Sequence, residues 1–518
     1  MFRTPSLDDL RAHAESPRQH LRRRLGTFDL TLFGIGAIIG AGIFSAIGTA
    51  AAGNLATGRP PAGPALVLSV LLVALACACT ALAYAELASM IPVSGSAYTY
   101  TYATLGELAA WMVGWDLVLE YGVSNVAVAI SWADYLRSFL GSSLGVRIPG
   151  WLAMDPRTAL KLAERAPPLG LDERLQALAQ AKAGLVDGAG IFAHWDALKG
   201  APSLFGFPLT VNLLAIVVTA AITWLVLLGI RESARANAAM VAVKLAVLAA
   251  VVGLGWGYIH PENWSPFAPG GFRGVQAGAA IIFFAFIGFD AVSTTAEECR
   301  NPARDLPRGI LLSLGLCTVI YAVLALVVTG MLRYQGLAGK ADPLAYIFVH
   351  HGRGAVAAAI AFGAVVATTA ALLVYQVAQP RILLAMSRDG LLGNWFGRLS
   401  PNRGTPVNAT LLTGALVALL AGLTRIDEVV ELTNIGTLFA FVLVCLAVLI
   451  LRRRHPEAAR RFRMPAVWLT VPAGILSCVW LAWGLPRITW LRFIAWLLLG
   501  LAVYAVYGYR HSRLNPRR

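Results

Sequence analysis

Twelve apolar stretches divide this chain, at roughly 28–50, 65–89, 105–140, 208–230, 237–258, 276–296, 309–333, 355–386, 408–424, 429–451, 466–485 and 491–509. A helix rises about 1.5 Å per residue, so about 20 apolar residues cross a hydrocarbon core about 30 Å thick. Hydrophobic residues make up 58% of the 518 and charged residues only 13%, against roughly 25% charged in a soluble domain. A soluble fold could not hide so much apolar surface. The expected fold class is an all-α polytopic membrane protein with 12 transmembrane helices. The third and eighth runs exceed one crossing and are expected to tilt or to project from the bilayer.

The net charge of +15 could suggest nucleic acid, but its placement points to topology. With the N-terminus in the cytoplasm and sides alternating, cytoplasmic segments hold 24 Lys/Arg and the short outer loops about six. Arg22-Arg23-Arg24, Arg452-Arg453-Arg454 and Arg517-Arg518 all fall inside. This is the positive-inside bias, and it puts both termini in the cytoplasm. The long outer segment 141–207 is near neutral, with seven Lys/Arg and six Asp/Glu, and its stretch 172–185 has the period of a short surface helix.

Five of the six cysteines lie inside apolar runs and Cys299 in a cytoplasmic loop, so no disulfide framework is expected. Cys77 and Cys79 lack the spacing and partner histidines of a metal site. The N-terminal segment lacks a cleavable signal pattern. No catalytic triad, phosphate-binding loop or nucleotide-binding domain is evident. The sequence thus predicts no enzyme, no cofactor, no metal, no nucleic acid and no protein partner, and disfavours an ATP-driven pump or a channel.

Two runs are interrupted. "GIGAIIGAGIF" (34–44) carries Gly34, Gly36, Gly40 and Gly42, and "AGAAIIFFAFIGFDAVSTTAEE" (277–298) carries Gly288 and Asp290 in mid-run. Glycine in a helix interior costs about 0.8–1 kcal/mol against alanine. Taken alone, Gly36 and Gly40 also fit a GxxxG packing seam. The interruptions sit first in two sets of five runs, the arrangement of two inverted repeats whose broken helices meet at a midplane site. The expected organisation is an N-terminal segment (1–27), a first repeat (28–258), a second repeat (276–451), two extra helices (466–509) and a C-terminal tail (510–518).

Seven stretches together carry a family resemblance: 34–44, "AELASMIPVSGSAYTYTYATLGELAAWMVGWDLVLEYG" (85–122), "GIRESARAN" (229–237), 283–310, "AQPRILLAMSRDGLLG" (378–393), "NIGTLFAFVLV" (434–444) and 485–509. In order and spacing, the chain resembles the amino acid–polyamine–organocation superfamily, and more narrowly the cationic amino acid transporters and their bacterial members. The resemblance implies the five-plus-five inverted-repeat fold with discontinuous helices 1 and 6. It also implies alternating-access uptake of an amino acid, usually proton-coupled. With the Arg-rich, lysine-poor composition it points to a bacterial inner membrane.

Unwinding frees backbone groups that a zwitterion can use. A half-helix N-terminus suits a carboxylate, and half-helix carbonyls suit an ammonium. Glycine permits non-helical dihedrals and close approach. By resemblance, the backbone N–H groups of Ala41 and Gly42 hold the carboxylate beside Gly40. Carbonyls of Ile38, Phe284, Ala285 and Ile287 hold the ammonium. Many relatives have threonine where Ala41 stands, a change that a backbone contact survives. Phe286 and Phe289 are candidate pocket walls, with ordinary packing as the competing reading. Relatives carry small or flexible residues before "QPR" (379–381). Here Val374 and Tyr375 precede it, which predicts a pocket too small for arginine.

Ionisable groups inside spans are rare and usually functional. Lys244 is the only lysine in any run, and by resemblance it takes the place of the sodium ion of sodium-coupled cousins beside helix 1. It is expected either to couple protons or to serve as a permanently charged clamp. Asp290 and Glu120 are candidates for proton coupling or gating. Asp116, four residues before Glu120 on the same helix face, has no assigned role. "RNPARDLPRG" (300–309) and "SRDG" (387–390) read as capped turns. The preferred function is a proton-coupled amino acid importer. The alternatives are an exchanger or facilitator of the same fold, and a non-transporting membrane amino acid sensor.

Overall fold

The computed structural model describes residues 25–53, 58–93, 95–146, 148–156, 201–204, 207–228, 231–400 and 405–514. The surface helix expected at 172–185, and residues 1–24 and 515–518 of the two terminal segments, lie outside these residues. Among the described residues, nine helical segments are long and apolar enough to cross a membrane, and three shorter apolar helices accompany them.

The first segment joins α1 (Thr27–Ile38), a wide turn of π-helix over Gly42–Ala46 and α2 (Ile47–Ala52). Next come α3 (Leu66–Met90), the short α4 (Ala97–Thr104) and α5 (Glu107–Leu144). Two-residue strands β1 (Ser203–Leu204) and β2 (Phe207–Pro208) pair antiparallel ahead of α6 (Leu213–Leu228) and α7 (Arg231–Gly255). Then α8 (Gly271–Ile282) passes through a 3-10 turn, Phe283–Phe286, to a 3-10 helix, Asp290–Glu298. The chain continues with α9 (Pro302–Met331), α10 (Pro343–His350) and α11 (Gly354–Arg388). It closes with α12 (Val407–Leu423), α13 (Ile426–Arg454), α14 (Val467–Trp483) and α15 (Arg487–Val503).

The long third and eighth runs are single helices of 38 and 35 residues, longer than a bilayer core of about 30 Å requires. The three shorter helices, α6, α12 and α14, have 16, 17 and 17 residues, or about 24–26 Å each.

Polarity is inverted relative to a water-soluble fold. Trp483 is 80% exposed and Leu469 72%, while Lys244 and Asp116 are fully buried. Such apolar faces need lipid or another apolar partner. Threonines inside the helices bond back to the preceding turn, as Thr219 does to the Ala215 carbonyl at 2.8 Å and Thr329 to Ala325 at 2.7 Å, so their hydroxyls are satisfied where no water reaches. Extensive packing joins α3 to α9, α5 to α11 and α6 to α12. This framework surrounds the two interrupted segments.

Candidate functional site

The first interruption begins where α1 stops. Ile39 leaves helical geometry (φ −78°, ψ 91°), and its N–H still donates to the Ile35 carbonyl at 3.0 Å. The carbonyls just before the gap have lost helical partners and are taken over by side chains. The Lys244 ammonium, on α7, donates to the Gly36 carbonyl at 2.9 Å and the Ile39 carbonyl at 2.7 Å. The Tyr321 hydroxyl, on α9, donates to the Ile38 carbonyl at 2.9 Å. Past the gap, the Tyr135 hydroxyl reaches the Phe44 carbonyl at 2.5 Å.

The second interruption lies between the 3-10 turn and the 3-10 helix. Gly288 has φ +123°, a conformation that excludes ordinary side chains. Tyr321 reaches this break as well, approaching the Ala285 carbonyl at 3.0 Å. The Tyr375 hydroxyl donates to the Ile287 carbonyl at 3.3 Å. Asp290 closes the turn by accepting the Gly288 N–H at 3.2 Å, and its other oxygen accepts the Tyr121 hydroxyl.

The two breaks meet. A β-carbon on Gly42 would lie 2.3 Å from the Ala285 Cα, and one on Gly288 would lie 2.8 Å from the Ala37 side chain. Gly34 is likewise filled by Ser313 and Gly36 by Asn237, each within 2.7 Å of the missing β-carbon. None of Gly34, Gly36, Gly40 and Gly42 has positive φ. In the first break, then, glycine serves close approach; only Gly288 is required by its dihedral. Gly42 does the same close packing as Gly34 and Gly36, and Gly40 is the least crowded of these, with Ala371 at 3.1 Å.

A cavity of about 600 Å³ ends at this junction. Ala41 and Ser45 on the first segment, Phe284 and Ile281 on the second, and Asn434 on α13 line it. It opens away from the face where α1 begins, which we term the N-terminal face. On the N-terminal face, contacts tie the bundle together. Leu25 forms a parallel bridge with Cys299, Arg381 pairs with Glu298 at 2.6 Å and Arg388 with Glu297 at 3.8 Å. The turn at 300–309 is capped by Asp305, which accepts the Asn301 N–H at 3.3 Å and the Thr27 hydroxyl at 2.7 Å.

The structure therefore brings Ile38, Gly40, Ala41, Gly42, Phe284, Ala285, Ile287, Tyr375, Asp290 and Lys244 around one junction. Phe286 stacks edge-on against Tyr321 at 5.2 Å, and Phe289 packs on Tyr84 and Phe441. None of the four expected pocket walls, Phe286, Phe289, Val374 and Tyr375, borders the cavity, and of the expected substrate-binding residues Ala41 and Phe284 line it. Glu120 and Asp116 are fully buried with all four carboxyl oxygens unpartnered, and Asp116 presses on Gly436 of α13. Sequence reasoning missed Tyr321, Tyr121 and Asn434. Each is a polar side chain inside a membrane run, and periodicity alone does not single out such residues.

A chain with two interrupted membrane helices meeting under a cavity has the architecture of a transporter, and the comparison with known proteins decides which kind. The profile of the family described as amino acid permease matches residues 25–507. The chain belongs to the amino acid permease family. The permease is 42% identical over 515 residues to the branched-chain amino acid permease BcaP of Bacillus subtilis (strain 168), covering 99% of both chains. It is 40% identical over 518 residues to the methylthioribose transporter of the same organism, again covering 99% of both. It is 35% identical over 452 residues to the vacuolar cationic amino acid transporter 4 of Arabidopsis thaliana, covering 86% of this chain and 65% of that one. These relatives are membrane transporters, so the permease is an integral membrane transporter and not an enzyme.

Proposed function

We propose that the permease imports a small neutral amino acid by alternating access, with the zwitterion held where the two breaks meet. The observation that carries this reading is the junction itself, with Gly42 against Ala285 and Gly288 against Ala37 at the closed end of the cavity. The Ala41 and Gly42 amides begin the second half of the first segment and suit a carboxylate. The carbonyls of Ile38, Phe284, Ala285 and Ile287 suit the ammonium. Tyrosine hydroxyls already meet three of them, and each carbonyl oxygen has a second lone pair for the ligand. The buried Tyr375 is held on the second break by its bond to Ile287, and in the proposed substrate-bound state it bounds the side-chain space beside the junction. A neutral aliphatic substrate accords with the name of the Bacillus branched-chain relative.

The proposed topology has 12 spans, with α6, α12 and α14 as the three short ones. It comprises repeats 28–258 and 276–451, extra helices 466–509, and the segments 1–27 and 510–518 in the cytoplasm of a bacterial inner membrane. Packing supports the repeat: the second run lies on the seventh, the third on the eighth and the fourth on the ninth. In this topology the cavity opens outward and the Arg381–Glu298 side is the closed inner gate.

Lys244 carries the proposed coupling. Its ammonium spans two carbonyls of the unwound segment, a position from which loss of the proton, and with it the charge assistance of both bonds, would loosen the hold on α1. Asp290 and Glu120 are the further coupling or gating groups. One inward proton contributes about 2.3 kcal/mol per 100 mV, roughly a 50-fold concentration ratio. In proteoliposomes, an inward proton gradient is expected to drive accumulation of labelled leucine, and Lys244→Ala is expected to abolish the accumulation. Full coupling in that variant would remove Lys244 from the mechanism, whereas a parent that accumulates no amino acid on the gradient would favour the exchanger or facilitator reading, in which Lys244 is a fixed clamp. Ligand binding without flux would favour the sensor.

A further inference from the structure

At the mouth of the cavity two opposite charges face each other from elements distant in sequence. Arg59 follows the first segment, and its guanidinium donates to Glu431 Oε1 on α13 at 2.5 Å. Both side chains line the cavity, and they are 20% and 16% exposed. The Arg59 backbone lies against the end of the first segment: Gly53 has φ +69°, and a β-carbon there would lie 2.7 Å from the Arg59 carbonyl oxygen. The second oxygen of Glu431 accepts the hydroxyl of Thr489, on the first turn of α15, at 2.8 Å. Thr489 is 1% exposed. A second contact, Arg492 to Glu428 at 3.5 Å, binds the same two helices together. The other charged groups on the cavity wall are Asp134 and Lys340.

We propose that Arg59 and Glu431 form the latch that narrows the cavity mouth, with Thr489 as the positioning residue that aims the Glu431 carboxylate at Arg59. The pair joins the loop after α2 to the start of α13, two elements whose separation would widen the mouth. The arrangement is asymmetric. When Arg59 leaves, Glu431 keeps a donor from Thr489, so the open state does not strand an unpaired buried carboxylate, which would be costly. Charge-assisted bonds of this length are among the stronger ones, yet partial exposure keeps the pair breakable. The latch also gives α15, outside both proposed repeats, a part in access to the site.

This proposal rests on the transporter reading, and its test reads access without flux. Thr49 lines the cavity and all six native cysteines are buried, so Thr49→Cys reports entry of a bulky cationic methanethiosulfonate reagent. In the purified full chain, Arg59→Ala and Glu431→Ala are expected to speed labelling by about tenfold, the effect of about 1.4 kcal/mol. Thr489→Val should give an intermediate rate. Arg59→Lys, which keeps the charge, and the reversed pair Arg59→Glu with Glu431→Arg should return towards the parent rate. Unchanged labelling in both alanine variants overturns the latch, as does a reversed pair that labels as fast as the single variants. A misfolded variant reveals itself by labelling of native cysteines when Thr49 is intact. If the parent transports nothing, the transporter reading fails while the labelling result stands.

Discussion

One hydroxyl, that of Tyr321, reaches both breaks, donating towards Ile38 on one and Ala285 on the other. Its single proton is shared between two buried carbonyls, so removing it takes one donor from the pair, an omission costing about 1–3 kcal/mol. Tyr321→Phe should therefore lower the melting temperature and weaken substrate binding while leaving the aromatic stack on Phe286 in place. A melting temperature and affinity equal to the parent would show that the hydroxyl holds nothing. Little of this contact is legible in the sequence, because its partners lie 283 and 36 residues away and a tyrosine in an apolar run carries no local signal. Lys244 is different. A lone lysine among apolar residues stands out from the sequence alone, and the structure supplies its two partners.

For the helices, the breaks were legible and the reason for them only partly so. Clustered glycines mark where the first segment is interrupted, but the dihedral argument for them fails at Gly34, Gly36, Gly40 and Gly42 and holds at Gly288. Crowding across the junction depends on what the second break presents, and a single strand of sequence does not show that. Gly42→Ala sets a methyl against the Ala285 backbone, and such overpacking typically costs about 1–3 kcal/mol. Gly288→Ala adds dihedral strain to a clash with Ala37. Both variants should lose at least about tenfold in uptake, a barrier of about 1.4 kcal/mol, whereas Gly315→Ala, which faces open space on α9, should not. Equal uptake in all three would detach the junction from function.

At the scale of the whole molecule, run length and hydropathy read the membrane class directly, because crossing a bilayer sets a length that water-soluble folds do not share. The short helices α6, α12 and α14, proposed as spans, are the ones that length reads least well. Substrate choice belongs to this scale too, and the proposed small neutral substrate is tested against the whole set. In a thermal-shift screen of the twenty amino acids, leucine, isoleucine, valine or alanine should stabilise the permease, and arginine and lysine should not. Stabilisation by arginine and lysine alone would contradict the proposed small neutral substrate. The central claim is that backbone groups freed by the two breaks receive the zwitterion, and a structure with the best-stabilising amino acid bound tests it most directly. The account predicts the substrate carboxylate about 3 Å from the amides of Ala41 and Gly42, with the ammonium at the carbonyls of Ile38, Phe284, Ala285 and Ile287. A substrate bound elsewhere in the cavity, with those backbone groups unengaged, would contradict it.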